Sequence, residues 1–259
     1  MNNIEPAAGS DAWLVKFRHN SKARMRVFYF PYAGGSASAF SGMETNFPGD
    51  VDVFAIQAPG REQRFHEQPI SSLDLYVSQV IKSISPYLSI PFLFVGYSNG
   101  SLIAYEVARR LQCLYGVAPV HLTLAARRAP NLPPLRPAMS GMNYDDMLSE
   151  LRRYSRVPEE FLQDEKIMSI FIPMLKADFA LCDVTSFATT PRLKLDATIF
   201  WGKQDEDTSE EGIQAWQDLI DGELNIVQFQ GGHFFCYDEE EKFSAELARV
   251  VRNAHDKFV

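Results

Sequence analysis

Cysteine, basic charge and long apolar runs are all scarce in this sequence of 259 residues. Its three cysteines, Cys113, Cys182 and Cys236, are odd in number and widely spaced, which argues against a disulfide framework and predicts a reducing compartment. They also lack the Cys-x-x-Cys spacing of a zinc site. No apolar run approaches the roughly 18 residues that a membrane-spanning helix needs. We therefore expect neither a metal site nor a membrane span.

Charge and the amino-terminal residues narrow the class of protein further. Acidic residues outnumber basic ones by 33 to 25, and the formal net charge is −8. Nucleic acid is therefore not expected as a partner, because binding to phosphates requires a basic surface. The first residues show no basic start followed by an apolar stretch, so we expect no secretion signal. The sequence predicts a cytoplasmic monomer that binds neither nucleic acid nor membrane.

Short apolar runs alternate with amphipathic segments along most of the chain. The runs predict strands, and apolar residues at helical spacing, as over 73–88 and after about Glu240, predict helices. Such alternation predicts an α/β fold with a mostly parallel central sheet and helices on both faces. The predicted strands cover 13–17, 26–30, 51–57, 91–95, 120–126, 197–201 and 224–230.

One stretch departs from this alternation. Residues 129–137 contain four prolines and so continue neither a helix nor a central strand. From there to about Pro191 the pattern is almost wholly helical, and Pro158 and Pro173 stand where helices are expected to begin. The sequence predicts an inserted helical lid at 130–190 and a core formed by 1–129 and 191–259.

The stretch 91–111, PFLFVGYSNGSLIAYEVARRL, has the pattern of a buried strand, a sharp turn and an amphipathic helix. Its turn, GYSNG at 96–100, is a Gly-x-Ser-x-Gly motif between strand and helix, which is typical of a nucleophile elbow. Glycines suit the flanking positions because side chains there would collide where the strand passes into the helix. The motif predicts that Ser98 is a nucleophile, with the first N–H groups of the helix facing the developing negative charge.

A serine nucleophile needs a base and an acid that orients the base, here in the chain order serine, acid, histidine. Only His233 follows the end of a predicted strand, in the sequence Gly-Gly-His-Phe-Phe. The acid should follow the preceding strand, where Asp205 has the expected offset and Asp207 is the competitor. Asp205 would fix the tautomer of His233 without taking its proton. The histidines not chosen are His19, His66, His121 and His255.

An oxyanion intermediate requires two N–H donors. The backbone N–H of Asn99, directly after the nucleophile, is one expected donor. The other is expected from the small-residue loop at 31–35, Pro-Tyr-Ala-Gly-Gly, with Ala33 as the first choice. This loop has neither the Lys-Ser/Thr of a P-loop nor a Gly-x-Gly-x-x-Gly pattern, which argues against a phosphate-cradling loop.

Several stretches together resemble one family, the stand-alone type II thioesterases that accompany polyketide and nonribosomal peptide synthetases. The resemblance implies an α/β-hydrolase core with a helical lid, no cofactor, and hydrolysis of acyl groups from the phosphopantetheine arm of an acyl or peptidyl carrier domain. The family's usual role is to clear stalled or wrongly primed acyl groups, and some members release intermediates or products. The resembling stretches run in order through the chain: FYFPYAGGSASAF (28–40), VFAIQAPGREQR (53–64), 91–111 as above, ARRAPNLPP (126–134), LKADFALCD (175–183), TIFWGKQD (198–205) and GGHFF (231–235).

The resemblance also assigns roles to residues. It implies Ser98 as the nucleophile, Asp205 as the acid and His233 as the base. It implies the Ala33 and Asn99 backbones as the oxyanion donors. The positions at which this sequence departs from the family do not put hydrolysis in doubt, because the oxyanion donors are backbone groups that survive a change of side chain.

Two departures from the family pattern concern the substrate pocket. The family elbow usually reads Gly-His-Ser-Met-Gly, whereas here Tyr97 replaces the histidine and Asn99 replaces the methionine. In the oxyanion loop, which usually reads Pro-His-Ala-Gly-Gly, Tyr32 replaces the histidine. We expect Tyr32, Tyr97 and Phe234 to border the pocket. We also expect Asn99 and Tyr32 to add polar groups that favour an acyl chain with polar functionality near the thioester.

Several charged residues are expected to have a structural role and not to bind a ligand. Arg61, Lys176 and Asp178 match positions typical of the family and are interpreted as members of structural ion pairs more than as ligands. Five arginines could meet an acidic carrier domain or its phosphate, but acidic residues lie among them, and a solvated mixed surface is the favoured interpretation. These are Arg127, Arg128, Arg152, Arg153 and Arg156.

Three other functions stay open at this stage. A carboxylesterase, lipase or peptidase could use the same three side chains. So could an acyltransferase or cyclase, in which a hydroxyl or amine replaces water. A non-catalytic synthetase-binding module is a third possibility, and the intact set of Ser98, Asp205 and His233 argues against it.

Overall fold

A computed structural model describes residues 12–154, 157–183 and 187–259 of the chain. Within these residues seven strands form one sheet. Every predicted strand is found, with ends displaced by at most two residues. The strands are β1 (Leu14–Arg18), β2 (Met25–Phe30), β3 (Val51–Ile56), β4 (Phe92–Tyr97), β5 (His121–Ala125), β6 (Asp196–Gly202) and β7 (Leu224–Phe229).

The strand order in the sheet is β1-β3-β2-β4-β5-β6-β7. Only β1 runs antiparallel to its neighbour, β3, and the other five pairings are parallel. The prediction of a mostly parallel sheet is confirmed. Because parallel neighbours end at the same edge, the loops after β2, β4, β5, β6 and β7 meet there.

The described helices connect these strands. None of them is both long enough and apolar enough to span a bilayer. The α-helices are α1 (Leu73–Ile84), α2 (Asn99–Arg110), α3 (Tyr144–Arg153), α4 (Glu159–Leu162), α5 (Glu165–Ala180), α6 (Glu210–Gln214), α7 (Phe235–Asp238) and α8 (Glu240–Phe258).

Both faces of the sheet are covered, as the alternation predicted. Alternate residues of a strand point to opposite faces, so Phe28 and Phe94 pack with α1 and α2, while Val27 and Val95 pack with α8. Helix α8 buries Phe243 against that second face. The sheet is therefore fixed between two apolar layers, and its carboxyl edge is left to the loops that carry the predicted site.

Between β5 and β6 the regular elements of the described chain are helices, apart from a single bridge between Leu193 and Ile220. Helices α3, α4 and α5 pack around a separate apolar cluster that includes Met147, Leu162 and Ile172. The prediction that Pro173 begins a helix is wrong, because it lies inside α5. An interior proline costs about 3 kcal/mol, and the helix continues because residues on both sides of it, Ile172 and Leu175 among them, bury in the same cluster. The function of this segment as a lid, and its bounds at 130–190, stay predictions.

Candidate active site

Ser98 lies at the turn between β4 and α2, where its backbone is strained. Its φ of 51° and ψ of −118° fall in a region that L-residues seldom adopt. A side chain at Gly100 would meet the carbonyl group of Phe30, so only glycine lets α2 approach β2 this closely. The strain is held by the packed strand and helix on either side, and it lifts the hydroxyl to the carboxyl edge of the sheet.

His233 and Asp205 complete a hydrogen-bonded path that starts at Ser98. The Nε2 atom of His233 lies 2.9 Å from the Ser98 Oγ, and its Nδ1 lies 3.0 Å from Oδ2 of Asp205. The Asp205 side chain is buried, and its Oδ1 accepts the N–H of Asp207 at 3.0 Å. Because a carboxylate can only accept, the imidazole proton belongs on Nδ1, and Nε2 is left to accept the serine proton. The arrangement can activate a hydroxyl for nucleophilic attack.

Asp207, the competing acid, has different partners. Its carboxylate accepts the Tyr154 hydroxyl at 2.6 Å and guanidinium N–H groups of Arg153 and Arg136 at 3.1 and 2.9 Å. Burial raises the pKa of Asp207, but the hydrogen bonds from Tyr154 and Arg153 outweigh it and hold the pKa below its usual value. Asp207 therefore joins α3 to the loop after β6, and Asp205 is the carboxylate that meets the imidazole.

Asp205, Asp207 and His233 also form a group to test for metal binding. One ligand atom from each lies within 4.8 Å of the other two. Each is already in a hydrogen bond, Asp205 with His233, and Asp207 with Tyr154 and two arginines. A cation would have to displace these donors, and the hydrogen bonds account for the cluster by themselves.

The two expected oxyanion donors lie on either side of Ser98. Asn99 is the first residue of α2, and the N–H groups of a first helical turn have no acceptor within the helix. Ala33 lies in the loop after β2 and borders the same cavity as Ser98. The geometry is compatible with both roles, which stay predictions.

The loop that contains Ala33 is held by a buried ion pair. Asp178, near the end of α5, accepts the N–H of Gly34 at 2.7 Å. It also pairs with Arg61 at 2.7 and 2.8 Å, and Arg61 donates to the carbonyl of Gly35 at 2.8 Å. The structural ion pair predicted for Arg61 is confirmed. Both side chains are about 8% exposed, so loss of one partner would leave a buried charge uncompensated.

Replacement of Asp178 by asparagine tests whether this pair orders the loop. We expect the free energy of unfolding to fall by about 3 kcal/mol, because the Arg61 charge stays buried without its partner. We also expect kcat to fall about tenfold or more, because the loop carrying Ala33 loses its anchor. Urea denaturation and steady-state kinetics measure the two effects, with exposed Asp145→Asn as the control. Values for Asp178→Asn equal to those of the control would contradict this reading.

A cavity of about 450 Å³ opens beside Ser98 and His233. Tyr32 and Phe234 border it, as expected for pocket residues, and the Tyr32 hydroxyl is 2.8 Å from that of Tyr237. Most of the remaining wall is apolar and comes from the helical segment: Leu151, Val157, Phe161, Ile167, Met168, Phe171, Leu175 and Phe179.

One expectation about the pocket is wrong. Tyr97 does not line this cavity, because strand alternation turns its side chain into the α8 face of the sheet. There its hydroxyl donates to the His233 carbonyl at 2.7 Å. Asn99 does not border this cavity but a second one beside Ser98, and its side-chain amide donates to the Asp178 carbonyl and accepts from Arg127, both at 3.2 Å. Of the two residues expected to add polar groups near the acyl chain, Tyr32 borders this cavity and Asn99 borders a second one that also opens on Ser98.

Tyr154 is a site residue that sequence reasoning missed. Its ring lies 4.9 Å from the His233 ring, centroid to centroid, while its hydroxyl donates to Asp207. Burial and the neighbouring carboxylate raise the pKa of Tyr154, which keeps this donor protonated. No local pattern distinguishes the residue, because its position depends on how the end of α3 packs against the sheet edge.

The chain is similar in sequence and structure to known thioesterases. A family model described as a thioesterase domain matches residues 25–258. The gramicidin S biosynthesis protein GrsT of Aneurinibacillus migulanus is 35% identical over 240 residues, which are 93% of this chain and 94% of that protein. The RedJ thioesterase from the prodiginine pathway of Streptomyces coelicolor has a TM-score of 0.80 at 27% identity, covering 88% of this chain and 85% of its own.

A further solved structure bears on the fold. The type II thioesterase BorB from the borrelidin biosynthetic cluster has a TM-score of 0.83 at 24% identity, covering 93% of this chain and 98% of its own. The seven-stranded, mostly parallel sheet and these structural neighbours confirm the prediction of an α/β-hydrolase fold.

Proposed function

The chain belongs to the thioesterase family of hydrolases, and we propose that its substrates are acyl groups on the phosphopantetheine arm of acyl or peptidyl carrier domains. In polyketide or nonribosomal peptide biosynthesis it would remove aberrant or stalled groups or release intermediates. The similarity to GrsT, a protein of gramicidin S biosynthesis, supports the synthetase context. The observation that carries the chemistry is the continuous hydrogen-bonded path Ser98–His233–Asp205.

The proposed reaction has two halves. The Ser98 oxygen attacks the thioester carbonyl while Nε2 of His233 accepts the hydroxyl proton, and the N–H groups of Ala33 and Asn99 hold the oxyanion. The C–S bond then breaks, and the imidazolium returns its proton to the leaving thiolate. A water molecule deprotonated by His233 attacks the acyl-serine, which releases the acid and restores the serine hydroxyl.

The cavity beside Ser98 supports an apolar acyl group as the bound portion. Its wall is built largely from aliphatic and aromatic side chains of α3, α4 and α5, which release water when a hydrocarbon chain enters. We propose that residues 130–190 act as a lid over a core formed by 1–129 and 191–259. The Tyr154 contacts with His233 and Asp207 support this proposal, because they join the helical segment directly to the reacting groups.

Mass spectrometry of an acyl-loaded carrier domain tests the function. We expect the wild-type protein to remove the mass of the acyl group and to release the free acid. The variant Ser78→Ala, altered at an exposed serine of α1, should do the same. Transfer of the acyl group to an added alcohol or amine in preference to water would favour an acyltransferase. Faster cleavage of the corresponding oxygen ester would favour a carboxylesterase, and a carrier left loaded would contradict the proposal.

A further inference from the structure

A second cavity, of about 380 Å³, opens on Ser98 and His233. It shares both residues, together with Tyr154 and Phe179, with the apolar cavity described above. A thioester carbonyl at Ser98 therefore has two spaces around it. The second space differs from the first in chemistry, because the side chains of Arg127 and Arg128 line it.

Strained backbone brings Arg127 into this cavity. The residue before it, Ala126, has a φ of 52°, a value that a non-glycine residue rarely adopts. Ala126 directly follows β5, as Ser98 directly follows β4, so two neighbouring strands end in strained residues at the same edge. Strain of this kind is retained where the surrounding structure holds it, commonly at functional sites. Here it turns the chain so that Arg127 Nη1 donates to the side chain of Asn99 at 3.2 Å.

Both guanidinium groups have N–H donors that form no hydrogen bond. Nε of Arg127 and both Nε and Nη1 of Arg128 are buried and have no hydrogen-bond partner. Burial and the nearby positive charge of Arg127 lower the pKa of Arg128, although Glu211 acts in the opposite direction. Buried N–H donors without acceptors are costly, and native proteins rarely keep them without a reason.

The acidic residues of the same cavity do not neutralise this pair. Asp183 accepts the backbone N–H of Ser140 at 2.8 Å, and Asp207 is held by Tyr154, Arg153 and Arg136. Among the described residues no carboxylate forms an ion pair with Arg127 or Arg128. The interpretation of these two arginines as part of a solvated mixed surface is therefore wrong. It holds for Arg152, which pairs with Glu159 at the exposed surface, and Arg156 lies outside the described residues.

We propose that Arg127 and Arg128 form a subsite for an anionic group of the thioester substrate, a phosphate or a carboxylate. The proposal rests on the proposed function and adds a charged feature to its substrate. Guanidinium groups present paired N–H donors that match the oxygens of either anion. The anion has two possible sources, the phosphate of the carrier arm and a carboxylate at the far end of the acyl group.

Four soluble thioesters distinguish the two sources. They are butyryl and succinyl thioesters, each of pantetheine and of phosphopantetheine. Succinyl adds a carboxylate on the acyl side of the reacting carbonyl, and phosphopantetheine adds a phosphate on the thiol side. The double variant Arg127→Gln/Arg128→Gln should lower kcat/KM about tenfold or more for the substrates that carry the recognised anion. It should leave butyryl-pantetheine within about twofold. A loss confined to the phosphopantetheine thioesters identifies the phosphate, and a loss confined to the succinyl thioesters identifies the carboxylate.

Two further variants separate recognition of the anion from damage to the fold. Arg128→Gln alone leaves the contact between Arg127 and Asn99 in place and should show the same selectivity at reduced size. Arg249→Gln, at an exposed arginine of α8 that pairs with Glu246, should change none of the four values. An equal loss for all four thioesters, or no loss for any, would overturn the proposal.

A binding measurement tests the anion subsite without requiring catalysis. Calorimetric titration of the Ser98→Ala protein with the same four thioesters should show tighter binding of the anion-bearing ones, and the double variant should abolish that difference. If the wild-type protein hydrolyses none of the four, the proposed function fails, whereas the calorimetric difference still decides the subsite. Equal affinity for all four thioesters would reject it.

Discussion

Replacing Ser98 by alanine is expected to lower kcat for a soluble acyl thioester by about 10⁴-fold or more, with KM within about threefold of wild type. Loss of the nucleophile from a serine–histidine–carboxylate set removes most of its contribution, and what is left comes from the oxyanion donors and from binding. The KM should change little, because we expect the two cavities beside Ser98 to provide most substrate contacts and the Ser98 hydroxyl to add only one.

Release of free thiol gives the rate for this variant, and the exposed serine variant Ser78→Ala is the matched control. The circular dichroism spectra of the wild-type, Ser98→Ala and Ser78→Ala proteins should be the same, since the Ser98 side chain contributes little to packing. A Ser98→Ala protein with more than about one hundredth of the wild-type kcat would show that another group carries the reaction.

Replacing Gly100 by alanine is expected to destabilise the fold by more than about 3 kcal/mol. A methyl group there would overlap the carbonyl groups of Phe30 and Pro31, which are backbone atoms of the end of β2 and its loop. These atoms are held in the sheet, so the overlap could be removed only if α2 moved away from β2. The same shift would displace Asn99, and with it the expected oxyanion donor.

Gly141 offers a matched control for this substitution. A methyl group at Gly141 would meet nothing within 4 Å, and its φ is not positive, so Gly141→Ala should change the free energy of unfolding by less than about 0.5 kcal/mol. Urea denaturation followed by circular dichroism measures both variants, and recovery of soluble protein gives a second readout for Gly100→Ala. Equal stability of the two variants would contradict the close approach of α2 to β2.

Local patterns carried most of what could be predicted about the fold and the candidate site. The Gly-x-Ser-x-Gly motif gave the position of Ser98, and chain order gave His233, because each depends on a few residues at a strand end. Asp205 rather than Asp207 followed from its offset after β6. The choice matters physically, since Asp205 lies against the imidazole while Asp207 binds the end of α3.

What could not be predicted depends on contacts between distant segments. Tyr154 meets His233 only because α3 ends over the sheet edge. The unpaired donors of Arg127 and Arg128 could not be foreseen, since these two were grouped with three later arginines that have acidic residues among them, and that mixture suggested a solvated surface. Pro173 lies within a helix because tertiary packing outweighs its local preference. In each case the decisive partner lies far away in the sequence.

The contacts of Asp207 connect the helical segment to the catalytic loop. Its backbone N–H supports Asp205, while its side chain receives Tyr154 and Arg153 from the end of α3. Movement of α3 away from the sheet edge would therefore break hydrogen bonds at Asp207, two residues after the orienting acid Asp205. If residues 130–190 act as the proposed lid, this arrangement would couple its position to the order of Ser98, His233 and Asp205.

Labelling with a fluorophosphonate tests the central claim most directly, because an activated serine displaces fluoride from such a reagent and keeps the phosphonyl group. The predicted result is one phosphonyl group per chain, located by peptide mass spectrometry on Ser98, with labelling at least 10³-fold slower in His233→Ala. An adduct on another residue, or an undiminished labelling rate in His233→Ala, would contradict the claim that His233 activates Ser98.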